Sequence, residues 1–576
     1  MNEHQKRSVY TLCALISALV VLPVFAIYFP MLGHDPLLDD PVQIRYIQGL
    51  DSVWDCFKPD SNNWFRPFKN FVFYLTYSEE SGTKWTSAAC LSIFVLNTYL
   101  VGLLLFYIFD NRNWSLVGTA LFAYNPTMVS SVQFLSACNN QISLSFICVT
   151  LILSLVYARS TIDLDSKRPA RLVFAGVLLS LMLSMVAYEA ALPALGMVVV
   201  IIWAKYGGRY LVSRAGIQLW GGGLFVVAAY LLIRMDAAKM DFVSPSLPHG
   251  VTRIELILRA PYYALTHFLL WVEPWGRGGV FLDDDPRGKL ILGVISWIIL
   301  LLVSGVLLRL LNTRFRFLAA GLLIFLGGMT TLANFLGLGN GPICNYYLLI
   351  PGIGLVIAYV ALFKELGKLT HSKLKGGLLL VLGLLLMCLA WNSRERVLAW
   401  RNQLALIDFT VENYPDNYHG LSLQAERAIA EGKYDEAQGL LFRARDIAPW
   451  AMPGYLYSAY AYRLDGENLA AQGVLESYEQ MNGRTTWSIT ERLAELALQR
   501  RDWQNVDYLM NKLLSTEPHP LDHCRFYVQV VIPYFIVQGR LEEARYLVQE
   551  LEGMCSTSDY DQWEKLQQHR EFLSRH

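Results

Sequence analysis

VYTLCALISALVVLPVFAIYFP, residues 9–30, decides the class of this chain. The run holds no Asp, Glu, Lys or Arg, and it matches the roughly 20 residues an α-helix needs to cross a bilayer. Comparable runs recur at about 86–109, 114–133, 141–158, 172–187, 190–205, 217–235, 289–308, 317–337, 346–363 and 376–391. Of the 576 residues, 54% are apolar and only 17% charged, against about 25% charged in soluble domains. Acidic and basic residues number 48 each, so no basic field points to nucleic acid. The expectation is an all-α, polytopic membrane bundle of about eleven spans.

Basic residues orient it. Lys6 and Arg7 precede the first run, and Arg159, Lys167, Arg168 and Arg171 share one short connection. Lys205, Arg209 and Arg214 share another, Arg309, Arg314 and Arg316 a third, and Lys364, Lys368, Lys373 and Lys375 a fourth. The stretches 134–140, 188–189 and 338–345 contain neither Lys nor Arg. The positive-inside rule places the basic set in the cytoplasm and the others outside. Pro23 and the lack of a small-residue cleavage site mark the first run as a retained anchor.

Two outside segments are then long, 33–85 and 236–288. The first carries HDPLLDDPVQI (34–44), with Asp39 and Asp40 adjacent, and WFRPFKNFVFYL (64–75). Paired carboxylates beside a membrane suit general-base work on a hydroxyl; Asp residues before a Pro equally suit the cap of a helix. The second carries VTRIELILRAPYYALTHFLLW (251–271), whose apolar positions recur at helical spacing, as in a helix lying in the interface plane.

Beyond about residue 400 a period appears. Ala425, Gly432 and Ala437 recur as Ala459, Gly466 and Ala471, the 34-residue spacing of tetratricopeptide (TPR) repeats. Looser units follow at 500–518 and 538–554. Residues 401–576 therefore read as a TPR-like α-solenoid on the outer side, following a membrane domain over 1–400. Nine cysteines show no metal-ligand spacing, and Cys524 and Cys555 flank the last unit, where they either pair or stay free. Asp283-Asp284-Asp285 reads as a solvated loop. The lack of a glycosylation sequon in the outside segments leans toward a bacterial inner membrane with the repeats in the periplasm.

Many spans, an acidic pair in the first outside loop and C-terminal repeats resemble the GT-C glycosyltransferases. The likeness is to the membrane O-mannosyltransferases carrying TPRs and their bacterial relatives, over nearly the whole chain. Asp39, Asp40 and Ile44 match the loop pattern Asp-Asp-x-x-x-Ile, and Arg66-Pro67 matches an Arg-Pro before the second span. Tyr188-Glu189 stands ahead of an apolar run with Pro, and NYYLLIPGIG (345–354) is similar to a late aromatic-Pro segment, with Asn345 where Arg is usual and Tyr346 after it. At 125–141, Asn125, Ser130, Cys138 and Asn140 replace the family's His, Glu, Arg and Asp.

The resemblance implies an inverting transferase that moves a sugar from a polyprenyl phosphate to an exported acceptor, such as a Ser or Thr of a pilin-like protein, bound by the TPR face. Asp39 and Asp40 would be catalytic; Arg66, Arg253, Arg259 and Arg277 would hold the phosphate. Glu189, Asn139, Asn140, His267, Asn345 and Tyr346 would support the site. One Asp pair is too thin a ligand set to require a divalent metal, which leaves metal dependence open. Competing readings are a catalytically silent scaffold, favoured by the substituted charges at 125–140, and a lipid-linked-sugar flippase, disfavoured by few intramembrane charges.

Overall fold

The computed structural model describes residues 3–59, 65–162, 167–237, 253–272, 290–332, 345–369, 372–449, 451–482, 487–514, 527–554 and 560–575. Among them the chain is helical throughout, with one isolated β-bridge between Ser78 and Gly82. It divides into two compact units, residues 1–414 and 415–576.

In the first unit the principal helices are α1 (Arg7–Met31, with a π turn at Ser17–Val21), α2 (Asp40–Gln48), α3 (Pro67–Thr76), α4 (Lys84–Phe109) and α5 (Arg112–Ala123). They continue as α6 (Met128–Gln133), α7 (Cys138–Ile162), α8 (Lys167–Ala187), α9 (Ala194–Tyr206), α10 (Arg214–Ala237) and α11 (Arg253–Val272). The last are α12 (Leu290–Leu310), α13 (Arg316–Leu332), α14 (Leu349–Leu369), α15 (Ser372–Ala399) and α16 (Gln403–Asn413).

Among the described residues, eight helical segments are long and apolar enough to cross a membrane. Residues 317–332 of the expected run 317–337 lie in the 17-residue apolar helix α13, and 333–337 lie outside the described residues. The run 376–391 lies inside the 28-residue α15. Burial separates centre from rim: the segment Asn345–Lys368 is 72% buried in protein, whereas Gly293–Leu310 is only 11% buried. Ile298, Leu301, Leu302 and Val306 on that outer helix are exposed, as side chains facing lipid tails would be. At the centre, α13 and α14 cross at Gly321 and Gly354. A Cβ on either glycine would lie 2.4 Å from the other's carbonyl oxygen, so only glycines allow this approach.

The expected span 114–133 does not form as one helix. Asn125 accepts from Thr127 through both the backbone N (3.0 Å) and the hydroxyl (2.6 Å), and Pro126 disfavours helical backbone at the preceding residue. The helix therefore stops at Ala123. The chain turns through α6 and a 3-10 turn at Leu135–Ala137 before α7 begins. Every residue from Gly118 to Gln141 is buried. The stretch 134–140, expected as an outside loop, comprises that 3-10 turn and the first residues of α7, all buried in protein.

Two prolines inside apolar helices show the same accounting. Pro23 cannot donate to the carbonyl of Leu19 four residues earlier, and the Tyr124 hydroxyl donates to that oxygen at 2.6 Å. Pro261 likewise frees the Ile257 carbonyl, which accepts from the Trp297 indole at 3.1 Å. A neighbouring helix thus satisfies each backbone acceptor that a proline releases.

The second unit is a series of helix hairpins: Tyr418–Ala430 with Tyr434–Ile447, Met452–Leu464 with Asn468–Asn482, and Trp487–Gln499 with Trp503–Leu514. Ile532–Val537 with Leu541–Met554 follows, then Tyr560–Arg575. Each hairpin turns at a left-handed residue: Gly432 (φ 74°), Gly466 (φ 85°), Arg501 (φ 57°) and Gly539 (φ 70°). Small residues sit where paired helices meet, with Ala425, Ala437, Ala471, Ala494 and Ala544 fully buried. Cys524 and Cys555 lie outside the described residues, as does Asp283-Asp284-Asp285.

Candidate functional site

The two adjacent carboxylates part company. Asp39 is exposed, whereas Asp40 is fully buried. Leu38 takes a left-handed conformation (φ 54°), and Pro41 starts α2. That turn directs Asp40 inward. One of its oxygens accepts from the Ser136 backbone N and hydroxyl, each at 2.7 Å; the other accepts from the Leu37 backbone N at 3.2 Å. Burial pushes the Asp40 carboxyl up from 3.8 to about 6, with the Ser136 and Leu37 donors resisting the rise. The two carboxylates expected to be catalytic thus stand in different environments. Nor does either Asp side chain cap α2, since Asp39 makes no capping bond. Asp40 acts as a clamp between the acidic loop and the buried segment.

From Asp40 the polar groups continue along two short helices. Gln43 lies one turn on from Asp40, and both are buried on one face of α2. Its amide meets α3: Lys69 donates to its oxygen, and its own NH2 donates to Asn70 at 3.2 Å. Lys69 and Asn70 stand three and four residues after Arg66, so all three share a face of α3. Arg66 donates to Glu189 at 3.2 Å and stacks over Tyr188, 5.3 Å from the ring centre. The second Glu189 oxygen lies 3.6 Å from Arg234, which also donates to Tyr230 at 3.1 Å. Two guanidiniums therefore share one carboxylate in a mostly buried, tyrosine-lined group.

The late aromatic segment joins the same assembly. Ser131 donates to the Tyr346 carbonyl at 3.3 Å, and the Phe134 ring packs 5.6 Å from that of Tyr346. Asn345, its neighbour in the chain, is buried, and Asn139 and Asn140 in the first turn of α7 are buried too. On α11, His267 is fully buried; its Nδ1 bonds the Tyr263 carbonyl at 2.8 Å, and its ring lies 6.3 Å from Tyr347. His267 is thus packed within the protein.

Arg259 stands two helical turns earlier on α11. Its side chain is 2% exposed, and its Nε and Nη1 have no hydrogen-bond partner among the described residues. An arginine stays charged at any physiological pH, and burying a charge without a partner is costly. Such a group suits an anion. Arg277 and the side chain of Arg253 lie outside the described residues. No three His, Cys, Asp or Glu side chains converge as metal ligands among the described residues.

The structure thus connects Asp40, Arg66, Glu189 and Tyr346 through neighbouring elements, while separating Asp39 from Asp40 in environment. Sequence reading missed Ser136, Gln43, Lys69 and Arg234. Arg234 alone carried a signal, as a charge in the last turn of an apolar run. No family model, characterised protein or solved structure matches this chain.

Proposed function

We propose that the chain is a glycosyltransferase that moves a sugar from a polyprenyl-phosphate donor to an exported acceptor, with a protein Ser or Thr hydroxyl the best candidate. The observation that carries this reading is Arg259: a buried guanidinium with two nitrogens unpartnered among the described residues suits an anionic ligand. A lipid phosphate can enter such a place from the bilayer. The Arg66–Glu189–Arg234 group adds guanidinium donors that can stabilise a departing phosphate. Asp39 has the exposure needed to take a proton from an acceptor hydroxyl, and Asp40 positions its loop. The outward orientation, the bacterial inner membrane, the GT-C kinship and the TPR assignment of the helix hairpins belong to the same reading.

Intact-mass measurement of exported proteins tests it. Wild-type cells should carry sugar adducts that disappear on deletion and in Arg259→Gln, with the variant still present in the membrane. Unchanged masses after deletion would overturn the transferase reading. One observation favours the alternative, a silent membrane scaffold: Asp40 is sealed from solvent with both oxygens engaged. In that case Arg259→Gln lowers stability and leaves every mass untouched.

A further inference from the structure

Two basic stretches that sequence reading used only for orientation meet in space. The turn between α12 and α13 brings Arg314 and Arg316 against the last turns of α14, which carry Lys364 and Lys368; Phe109, the final residue of α4, closes the space. The resulting cavity holds about 270 Å³. It lies at the far end of α4 from Lys84, a helix of 26 residues and hence about 39 Å long. It is therefore remote from Asp40, whose loop lies near the start of that helix: Thr83, the residue before α4, donates to the His34 carbonyl.

The charge there is unbalanced. Lys368 is paired with Glu365 at 2.6 Å, and Lys205 with Asp110. Arg314, Arg316 and Lys364 have no carboxylate partner among the described residues. Each instead faces a ring: Arg314 lies 4.7 Å from the centre of Phe315, Arg316 5.0 Å from Phe317, and Lys364 5.4 Å from Phe109. Cations on aromatic faces are held without being neutralised. Three uncompensated positive charges line a cavity at the ends of apolar helices, where lipid headgroups lie.

We infer that this cavity binds the headgroup phosphate of an anionic glycerophospholipid, with Arg314, Arg316 and Lys364 as its ligands. Basic pockets between spanning helices recognise such headgroups. The aromatic walls exclude water around the phosphate, and the neighbouring helix faces accommodate the acyl chains. The inference is independent of the proposed transferase activity, because it concerns the opposite end of α4.

Native mass spectrometry of the purified full-length protein, with phosphatidylglycerol or phosphatidylcholine added in neutral detergent, tests this. The wild type should retain one phosphatidylglycerol and no phosphatidylcholine, and its melting temperature should rise with the anionic lipid only. The triple substitution Arg314→Gln, Arg316→Gln, Lys364→Gln should cut retention at least tenfold, whereas Arg209→Gln, in a separate basic connection, should not. Equal retention by the triple variant overturns the proposal. An equal thermal shift from inorganic phosphate at matched ionic strength also overturns it, by identifying a free-anion site. Should the triple variant not fold, photoreactive phosphatidylglycerol on the wild type decides: crosslinks within 313–318 or 361–368 support the site, and crosslinks confined elsewhere remove it.

Discussion

At the residue scale, Asp39 and Asp40 make opposite predictions from neighbouring positions. Asp39 is exposed and uninvolved in its helix's cap, so Asp39→Asn should change stability by less than about 0.5 kcal/mol. On the proposed reading it should still slow sugar transfer by about 10²–10⁴-fold, the usual contribution of a general base. Membrane-extract melting and intact masses measure the two effects separately. Asp40→Ala should do the reverse of the first, destabilising the protein by removing the acceptor for Ser136 and Leu37, at a cost of about 1–3 kcal/mol per stranded donor.

Asp40 also sets a pH dependence whose sign follows from its buried state. Its carboxyl is raised in the folded protein from 3.8 to about 6, so between those values the folded state binds the proton more tightly than the unfolded chain. The stability this group contributes is greatest below pH 4 and declines as pH rises to about 6, by about 3 kcal/mol in all. Denaturation at a series of pH values should show that decline in the wild type and lose it in Asp40→Asn. An unchanged slope in the variant would place the titrating group elsewhere.

At the element scale, the two prolines within apolar helices are tied to aromatic donors on their neighbours. Tyr124→Phe strands the Leu19 carbonyl and should cost about 1–3 kcal/mol. Pro23→Ala restores a backbone donor to that carbonyl, so the same Tyr124→Phe change should cost much less in the Pro23→Ala background. A double-mutant cycle on unfolding free energy reads this coupling; strict additivity would show that the hydroxyl serves another partner. The hairpin turns of the second unit offer a parallel case. Gly466→Ala should destabilise that unit by about 1 kcal/mol, because φ 85° crowds a Cβ. Arg501→Gly, at φ 57° in the equivalent turn, should be neutral or stabilising by up to about 1 kcal/mol, since relief of strain is offset by a freer unfolded chain. Chemical denaturation of residues 415–576 would report both.

At the scale of the whole molecule, the two compact units meet in sequence at residues 414 and 415, and each has its own buried apolar core. Residues 415–576 expressed alone should therefore melt cooperatively in water, as monitored by circular dichroism. On the proposed function, removing them should narrow the range of modified acceptors more than it weakens donor binding. Equal loss of both would assign the hairpins a purely structural role.

Much of this architecture was legible because it rests on local pattern. Runs such as 9–30 and 86–109 exclude charge over bilayer length, and hydropathy is a property of consecutive residues. Ala425/Ala459 and Gly432/Gly466 recur because every hairpin must solve the same turn and close-packing problem. The break at Asn125-Pro126 was also present in local chemistry, yet apolar composition over 114–133 masked it. The sequence by itself thus determined a multi-helix, apolar chain with a repeating helical end, and it singled out Asp40, Arg66, Glu189 and Tyr346 as residues to watch. Only the tertiary structure decided that Asp39 and Asp40 differ and that Glu189 is shared by Arg66 and Arg234. It alone also left two nitrogens of Arg259 without a hydrogen-bond partner among the described residues and gathered Arg314, Arg316 and Lys364 into one cavity. The reason is physical: local pattern sets which segments become helices, but burial and the choice of charge partner depend on residues far apart in the chain, which meet only once those helices pack.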